Sequence, residues 1–197
     1  MRILIDNGHG KETPGKRSPD GLLREYATTR IIAKGIVEEL ERRGFHAELI
    51  VPEESDIKLS TRCRRVNTIC DKHGAWNVLL VSIHLNAAGN GRQWMGASGW
   101  EVYTSRGKTK ADRLADCLCA AALQNLQDMK IREDWTDGDA DKEADFYILK
   151  HTKCAAALTE NLFMDNYRDY SFLMSEEGIR KIVQLHVEGI INYIQGK

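Results

Sequence analysis

The chain has 197 residues, with 28 lysine and arginine side chains against 29 aspartate and glutamate side chains, and 42% of its residues are hydrophobic. This length is typical of one domain with one hydrophobic core. The formal net charge of -1 leaves no surplus of positive charge for bulk electrostatic binding, so we expect no nucleic-acid partner. The aliphatic run Val78–Val81 is far shorter than the roughly 20 apolar residues of a membrane span, and we expect none.

The N-terminus and the cysteines indicate the cellular compartment. Met1 and Arg2 lead directly into Ile3–Ile5 and then into polar residues, which is too short an apolar stretch for a signal peptide. We therefore expect synthesis in the cytoplasm, unless a leader has been removed. The cysteines lie mostly inside periodic segments, which favours reduced core thiols over a disulfide framework; they are Cys63, Cys70, Cys117, Cys119 and Cys154.

Short apolar runs alternate along the chain with segments of 3.6-residue periodicity, which is typical of an α/β protein. Val78–Val81 is a continuous apolar run, as expected of a central strand buried on both faces. In chain order we predict a strand over Arg2–Asp6, a helix over Glu25–Arg43, a strand over Phe45–Val51, a helix over Leu59–His73, strands over Asn77–Leu85 and Gly99–Ser105, a helix over Thr109–Met129, a loop over Ile131–Ala144, short strands over Phe146–Leu149 and Cys154–Thr159, and a helix over Ser175–Gln195.

Two of the six histidines stand at the ends of predicted strands. His9 follows the first strand in Gly8-His9-Gly10, and His84 ends the central strand. The carboxyl ends of parallel strands face the ligand crevice of an α/β sheet, so these two imidazoles are expected to converge. The other four histidines are expected to pack or to bond solvent; they are His46, His73, His151 and His186.

Two glutamates are candidates to complete a metal site. A catalytic zinc site needs three protein ligands and one open position, and Glu25 begins the helix to which the chain returns after His9. The alternative is an acidic residue that stabilises the first turn of its helix. Glu160 follows the apolar run 154–159 and is a candidate for the carboxylate that takes a proton from water. Its alternative is an exposed glutamate at a strand end.

Other kinds of site find less support in the sequence. Cys117 and Cys119 are one residue apart, closer than the spacing of a zinc knuckle. We find no glycine-rich phosphate loop after a strand, which argues against nucleotide-dependent chemistry. A serine or cysteine nucleophile stays open, although no Gly-x-Ser-x-Gly motif is present.

The ordered motifs of the chain resemble the zinc-dependent N-acetylmuramoyl-L-alanine amidases of the amidase 3 type, over almost the whole length. The resemblance lies in the order and strand-end placement of these pieces together. They are Ile5-Asp6-Asn7-Gly8-His9-Gly10, Glu25, Asp56-x-x-Leu59-x-x-Arg62 with Asn67, Ser82-Ile83-His84-Leu85-Asn86-Ala87, Trp100-Glu101-Val102-Tyr103 and Thr159-Glu160-Asn161-Leu162-Phe163-Met164-Asp165-Asn166.

The resemblance implies a single α/β catalytic domain over residues 1–197, with a twisted, mostly parallel sheet flanked by helices on both faces. It implies that His9, Glu25 and His84 bind zinc and that Glu160 is the catalytic carboxylate. The implied reaction is hydrolysis of the amide between the lactyl group of N-acetylmuramic acid and the L-alanine of the stem peptide.

The partner expected from this resemblance is peptidoglycan or a muropeptide, cut by a monomer acting at the cell wall. A protein made without an export signal would reach the wall through lysis, a holin-like route, or a leader that has been removed. Two alternatives remain open: a non-catalytic wall-binding or regulatory domain on the same fold, and a zinc peptidase that cuts ordinary peptide bonds.

Overall fold

The computed structural model, which describes residues 1–136 and 138–196, alternates strands and helices along the chain. In chain order the elements are β1 (Arg2–Asn7), α1 (Glu25–Arg42), β2 (His46–Leu49), α2 (Leu59–His73), a short 3-10 turn (Ala75–Asn77), β3 (Val78–Asn86), β4 (Glu101–Thr104), α3 (Ala111–Asn125), β5 (Lys142–Glu143), α4 (Tyr147–Lys150), β6 (Ala155–Phe163), α5 (Tyr167–Leu173) and α6 (Glu176–Gln195).

The six strands form one sheet in the order β2-β1-β3-β6-β4-β5. All neighbouring pairs are parallel except β4 and β6, which run antiparallel. Residues 78–83 of β3 are all buried, as expected for an interior strand covered on both faces. The prediction of one α/β domain with a mostly parallel sheet is therefore confirmed.

Alternate residues of the strands pack in two separate apolar layers, one on each face of the sheet. Ile3 and Ile5 of β1 pack with α1, α3 and α6 on one face, whereas Leu4 packs with α2 and α4 on the other. This alternation follows from the two-residue period of a strand. Helices cover both faces of the sheet, and the carboxyl ends of β1, β3 and β6 are left at one common edge.

His186 of α6 is a core residue, as expected, and it has no exposed surface. Its Nδ1 donates to the carbonyl oxygen of Ile182 at 2.7 Å, and its Nε2 accepts from the Thr159 hydroxyl at 2.9 Å. A neutral imidazole, with one donor and one acceptor nitrogen, satisfies both bonds. Burial lowers the pKa of His186 from 6.5 to about 4.

This buried histidine makes stability depend on pH. In the unfolded chain His186 binds a proton near pH 6.5, whereas in the folded chain it stays neutral down to about pH 4. The contribution of His186 to stability is therefore present above pH 6.5 and is lost as the pH falls toward 4. The His186 contribution to the free energy of unfolding is expected to fall by about 2 kcal/mol from pH 7 to pH 5. Urea denaturation of the wild type and His186→Gln at both pH values measures it, and an equal pH dependence in both proteins would contradict it.

The predicted strand over Phe146–Leu149 is wrong, because this segment contains the helical turn α4. Leu149 N and Lys150 N both donate to the carbonyl oxygen of Phe146 at 3.1 Å. The adjacent residues Ile148 and Leu149 are both buried, whereas the side chains of adjacent strand residues point to opposite faces. A run of four apolar residues does not by itself distinguish a strand from a helix.

Other differences lie at the ends of elements. The strand predicted over Cys154–Thr159 continues as β6 to Phe163, and α5 was not predicted. The predicted loop over Ile131–Ala144 contains the two-residue strand β5, and residue 137 of that loop lies outside the described residues. None of the five cysteines, all of which lie in the described ranges, forms a disulfide, and four of them are buried. None of the helices in the described ranges has an apolar stretch long enough to cross a bilayer.

Candidate metal centre

Three predicted site residues meet at the sheet edge where β1, β3 and α1 converge. His9 follows β1, His84 lies near the end of β3, and Glu25 is the first residue of α1. Glu25 Oε1 lies 3.2 Å from His84 Nδ1 and 3.4 Å from His9 Nε2. One candidate ligand atom from each residue lies within 4.8 Å of the other two. Two imidazoles and one carboxylate form a donor set suited to zinc with one open position.

The carboxylate of Glu25 is fully buried and turned toward β3. Its Oε1 accepts the backbone N–H of Leu85 at 3.0 Å, whereas Oε2 is buried without a hydrogen-bond partner among the described residues. The Lys16 ammonium is 3.9 Å from Oε2. A buried carboxylate oxygen without a donor is costly, and a bound cation would compensate it. These residues therefore fit a metal ion better than they fit the alternative of stabilising the first turn of α1.

The protonation states of the cluster follow from its burial. Burial lowers the pKa of His9 to about 4, so its imidazole is in the neutral form that binds metals. Burial opposes charge on Glu25, but the hydrogen bond with His84 and the positive charges nearby hold the pKa of Glu25 below its usual value. Burial also opposes a proton on His84, yet the bond to Glu25 and the charge of Glu160 raise the pKa of His84. A metal ion would replace that proton.

Gly8 lets the ring of His84 approach the chain that carries His9. A Cβ atom at Gly8 would lie 2.4 to 2.8 Å from three atoms of that ring. Gly8→Ala is expected to displace the ring and to weaken zinc binding about 10- to 100-fold, as displacement of ligand-orienting groups does. Competition with a chelating dye measures this. Gly96→Ala is the matched control, because a Cβ there meets nothing within 4 Å; equal affinity of the two variants would contradict the prediction.

Glu160 of β6 stands opposite His84, its register partner on β3. The residue is only partly exposed, and its Oε2 is buried with no hydrogen-bond partner among the described residues, unlike an exposed glutamate at a strand end. Burial raises the pKa of Glu160 to about 7, and the charges of Glu25 and Glu101 add to this against the effect of His84. A carboxyl group that titrates near neutrality can both take and return a proton.

Glu101 of β4 is the register partner of Glu160 on the side of β6 that faces away from β3. Unlike the carboxylate of Glu160, that of Glu101 is surrounded by hydrogen-bond donors and positive charges. Its carboxylate accepts from Tyr103 at 2.9 Å and from Arg132 at 2.7 Å, and it also pairs with Lys142. Burial opposes its charge, but these bonds hold the pKa of Glu101 below its usual value. Of these two neighbouring carboxylates, Glu101 stays ionised, and Glu160 is the one suited to proton transfer.

A cleft of about 810 Å³ opens beside this cluster, with His9, His84 and Glu160 among its lining residues. Much of the cleft wall comes from residues 56–62, at the start of α2, and from residues 146–148 of the α4 segment, and it combines apolar and charged side chains. The wall includes the apolar residues Ile57, Leu59, Phe146, Tyr147 and Ile148, the basic residues Lys16, Lys58 and Arg62, and the acidic residues Asp6 and Asp56. The cleft is large enough for an extended substrate to reach His9 and His84, which line it beside the buried Glu25.

Comparison with known proteins decides the family. The family described as N-acetylmuramoyl-L-alanine amidase, Amidase_3, matches residues 3–192. The chain belongs to this family. Its similarity to an endolysin of Bacillus phage SPP1 is 24% identity over 200 residues, covering 99% of this chain and 66% of the relative. It is 26% identical over 193 residues to an N-acetylmuramoyl-L-alanine amidase of Bacillus licheniformis, with 96% and 67% covered. The chain thus spans about two thirds of the length of these relatives.

Solved amidase structures share this fold. An N-acetylmuramoyl-L-alanine amidase of Nostoc punctiforme superposes with a TM-score of 0.79 at 27% identity, covering 99% of this chain and 97% of that one. An N-acetylmuramoyl-L-alanine amidase of Clostridium difficile 630 gives a TM-score of 0.82 at 22% identity, with 100% and 97% covered. At 22% identity, the comparison with the Clostridium difficile structure shows a shared fold alone. The six-stranded α/β domain therefore has the fold of these amidases.

Sequence reasoning missed part of the site in this amidase family member. Phe146 and Tyr147 line the cleft because α4 is a helical turn, and the strand prediction concealed this. The ion pairs of Glu101 were also missed, because Arg132 and Lys142 follow it by 31 and 41 positions. No periodic signal in the sequence reports contacts across such a separation.

Proposed function

We propose that this protein is a zinc-dependent N-acetylmuramoyl-L-alanine amidase, with residues 1–197 forming one catalytic domain. It hydrolyses the amide between the lactyl group of N-acetylmuramic acid and the L-alanine of the stem peptide. The observation that carries the proposal is the buried cluster of His9, Glu25 and His84 beside Glu160, in a chain of the amidase 3 family.

His9, Glu25 and His84 would hold the zinc ion. Bound there, zinc supplies Lewis-acid chemistry, acidifying water and polarising the amide carbonyl. The neutral imidazole of His9 adds no charge to the site, and Glu25 adds one negative charge. Its Oε2 accepts no hydrogen bond from a described residue and has only the Lys16 ammonium nearby, at 3.9 Å, so a bound cation would compensate its charge.

Glu160 moves the proton. Its Oε2 accepts a proton from the water that attacks the amide carbon, and it then returns that proton to the leaving amino group of L-alanine. The raised pKa of Glu160, caused mainly by burial, suits both transfers. Glu101 holds no place in these transfers, because its ion pairs keep it ionised at neutral pH.

The surroundings of the cluster match a polymeric substrate. The cleft lies open along the start of α2 and the segment of α4, so a sugar-linked peptide can lie across His9, His84 and Glu160, which line it. We propose peptidoglycan as the partner, a monomer as the acting form and the cell wall as the place of action.

The products distinguish the reaction from its alternatives. The zinc-loaded protein is incubated with a purified disaccharide-peptide, and the products are resolved by mass. The expected products are a disaccharide with a free lactyl carboxyl group and a peptide that begins with L-alanine. Cleavage between two amino acids would indicate a zinc peptidase instead. An intact substrate with a zinc-loaded protein would indicate a non-catalytic wall-binding or regulatory domain.

A further inference from the structure

The backbone at His9 adopts a conformation that a histidine rarely takes. Its φ is 60°, in the left-handed region, and within the described ranges only Leu162 shares a positive φ among non-glycine residues. This conformation costs free energy for a residue with a Cβ, so it persists where the surroundings enforce it. The position of the His9 imidazole depends directly on this backbone.

Two arginines converge on the carbonyl oxygen of His9. Arg30 of α1 donates to it from both Nη1 and Nη2 at 3.2 Å, and Arg62 of α2 donates from Nη2 at 3.2 Å. Two helices that pack on opposite faces of the sheet thus meet at one oxygen atom. This oxygen belongs to the residue in the left-handed conformation.

Arg62 is itself held from several directions. Its Nη1 donates to Asp6 Oδ1 at 2.7 Å and to the carbonyl oxygen of Asn7 at 2.6 Å, and its Nε donates to the carbonyl oxygen of Ile57 at 2.8 Å. Only 3% of its side chain is exposed. A planar guanidinium with its donors occupied in this way is a rigid support for His9.

Arg30 is anchored in the same manner on the other side. It donates to the carbonyl oxygen of Glu53 from Nε at 3.0 Å and to that of Tyr26 from Nη1 at 2.8 Å. Burial, with the nearby charge of Arg62, lowers the pKa of Arg30. Two positive groups side by side repel each other, so this arrangement has an energetic cost.

We propose that Arg30 and Arg62 are positioning residues that hold the His9 backbone so that its imidazole faces Glu25 and His84. This inference rests on the proposed metal centre. The hydrogen bonds of Arg30 and Arg62 go to backbone carbonyl oxygens and, for Arg62, to Asp6, and not to the candidate ligand atoms; both arginines act on His9 through its carbonyl oxygen. Replacing either arginine is therefore expected to weaken metal binding directly and to change turnover only as a consequence.

The test is metal binding by the full chain carrying Arg62→Met or Arg30→Met. Zinc affinity is measured by competition with a chelating dye, and the ligand geometry by the visible absorption of bound Co²⁺. Each variant is expected to bind zinc about 10- to 100-fold more weakly and to change the Co²⁺ spectrum. Arg30 is partly exposed, so its substitution is expected to disturb folding less. Arg30→Met therefore provides the test if Arg62→Met does not fold.

Arg65→Met is the matched control. Arg65 is on the same helix as Arg62 and donates to the carbonyl oxygen of Ile50 at 2.7 Å and to Glu53, but not to His9. It is expected to lower stability without changing zinc affinity. Wild-type affinity in both Arg30→Met and Arg62→Met, or an equal loss in Arg65→Met, would overturn the positioning role. A wild-type chain that binds no metal would instead contradict the proposed function.

Discussion

Glu160→Gln is expected to lower kcat for amide hydrolysis by about 100- to 10,000-fold, the usual contribution of a general acid–base group. Glutamine preserves the size of the side chain but cannot take a proton from water. The zinc content is expected to stay at the wild-type level, because Glu160 is not among the three clustered candidate ligands. KM is also expected to change little, because the proton moves only in the chemical step. The rate is followed as new N-terminal alanine released from peptidoglycan.

The control for this variant is Glu48→Gln. Glu48 lies on the edge strand β2, its side chain is 43% exposed and pairs with Arg2, and neither residue is among those that line the cleft. We expect it to keep wild-type kcat. If Glu160→Gln keeps wild-type activity at unchanged zinc content, the assignment of Glu160 as the proton carrier is wrong.

His84→Ala is expected to bind zinc more than about 100-fold more weakly than the wild type. Removing a ligand weakens metal binding more than removing a group that only orients a ligand. Zinc at 100 times its Kd stabilises a folded protein by about 2.7 kcal/mol, so it should raise the Tm of the wild type. The same zinc concentration should raise the Tm of His84→Ala much less, because with a Kd about 100-fold higher it stabilises the variant by at most about 0.4 kcal/mol. Thermal unfolding with and without zinc measures both.

His46→Ala provides the comparison. His46 is an exposed histidine at the start of β2, where sequence reasoning expected no metal role. Its variant should gain the same stabilisation from zinc as the wild type. A His84→Ala protein that still binds an equimolar amount of zinc would contradict the ligand assignment.

Much of the site could be predicted because strand ends are visible in the sequence. The apolar runs that form β1 and β3 lead directly into His9 and His84, and parallel pairing brings their ends together. Glu25 could be predicted as the third ligand because a helix begins with it at the end of the loop that follows His9. The resemblance to a known family then implied a role for Glu160, which the structure places beside the cluster.

The parts that could not be predicted depend on tertiary contacts. Four apolar residues at 146–149 suit a strand or a helical turn equally, and only packing against α2 decides between them. The short helix α5 did leave a signal, since Asn166 caps it by accepting from Arg168 N and Asp169 N. The convergence of Arg30 and Arg62 on one carbonyl left none, because it depends on the left-handed conformation of His9.

In the proposed site, His9, Glu25 and His84 form a zinc centre next to Glu160. Diffraction data recorded at the zinc absorption edge, from crystals of the full chain grown with equimolar zinc, test it most directly. We predict one strong anomalous peak bonded to His9, Glu25 and His84, with Glu160 adjacent and not bonded to it. A peak bonded to other residues, or no peak at this cluster, would contradict the account.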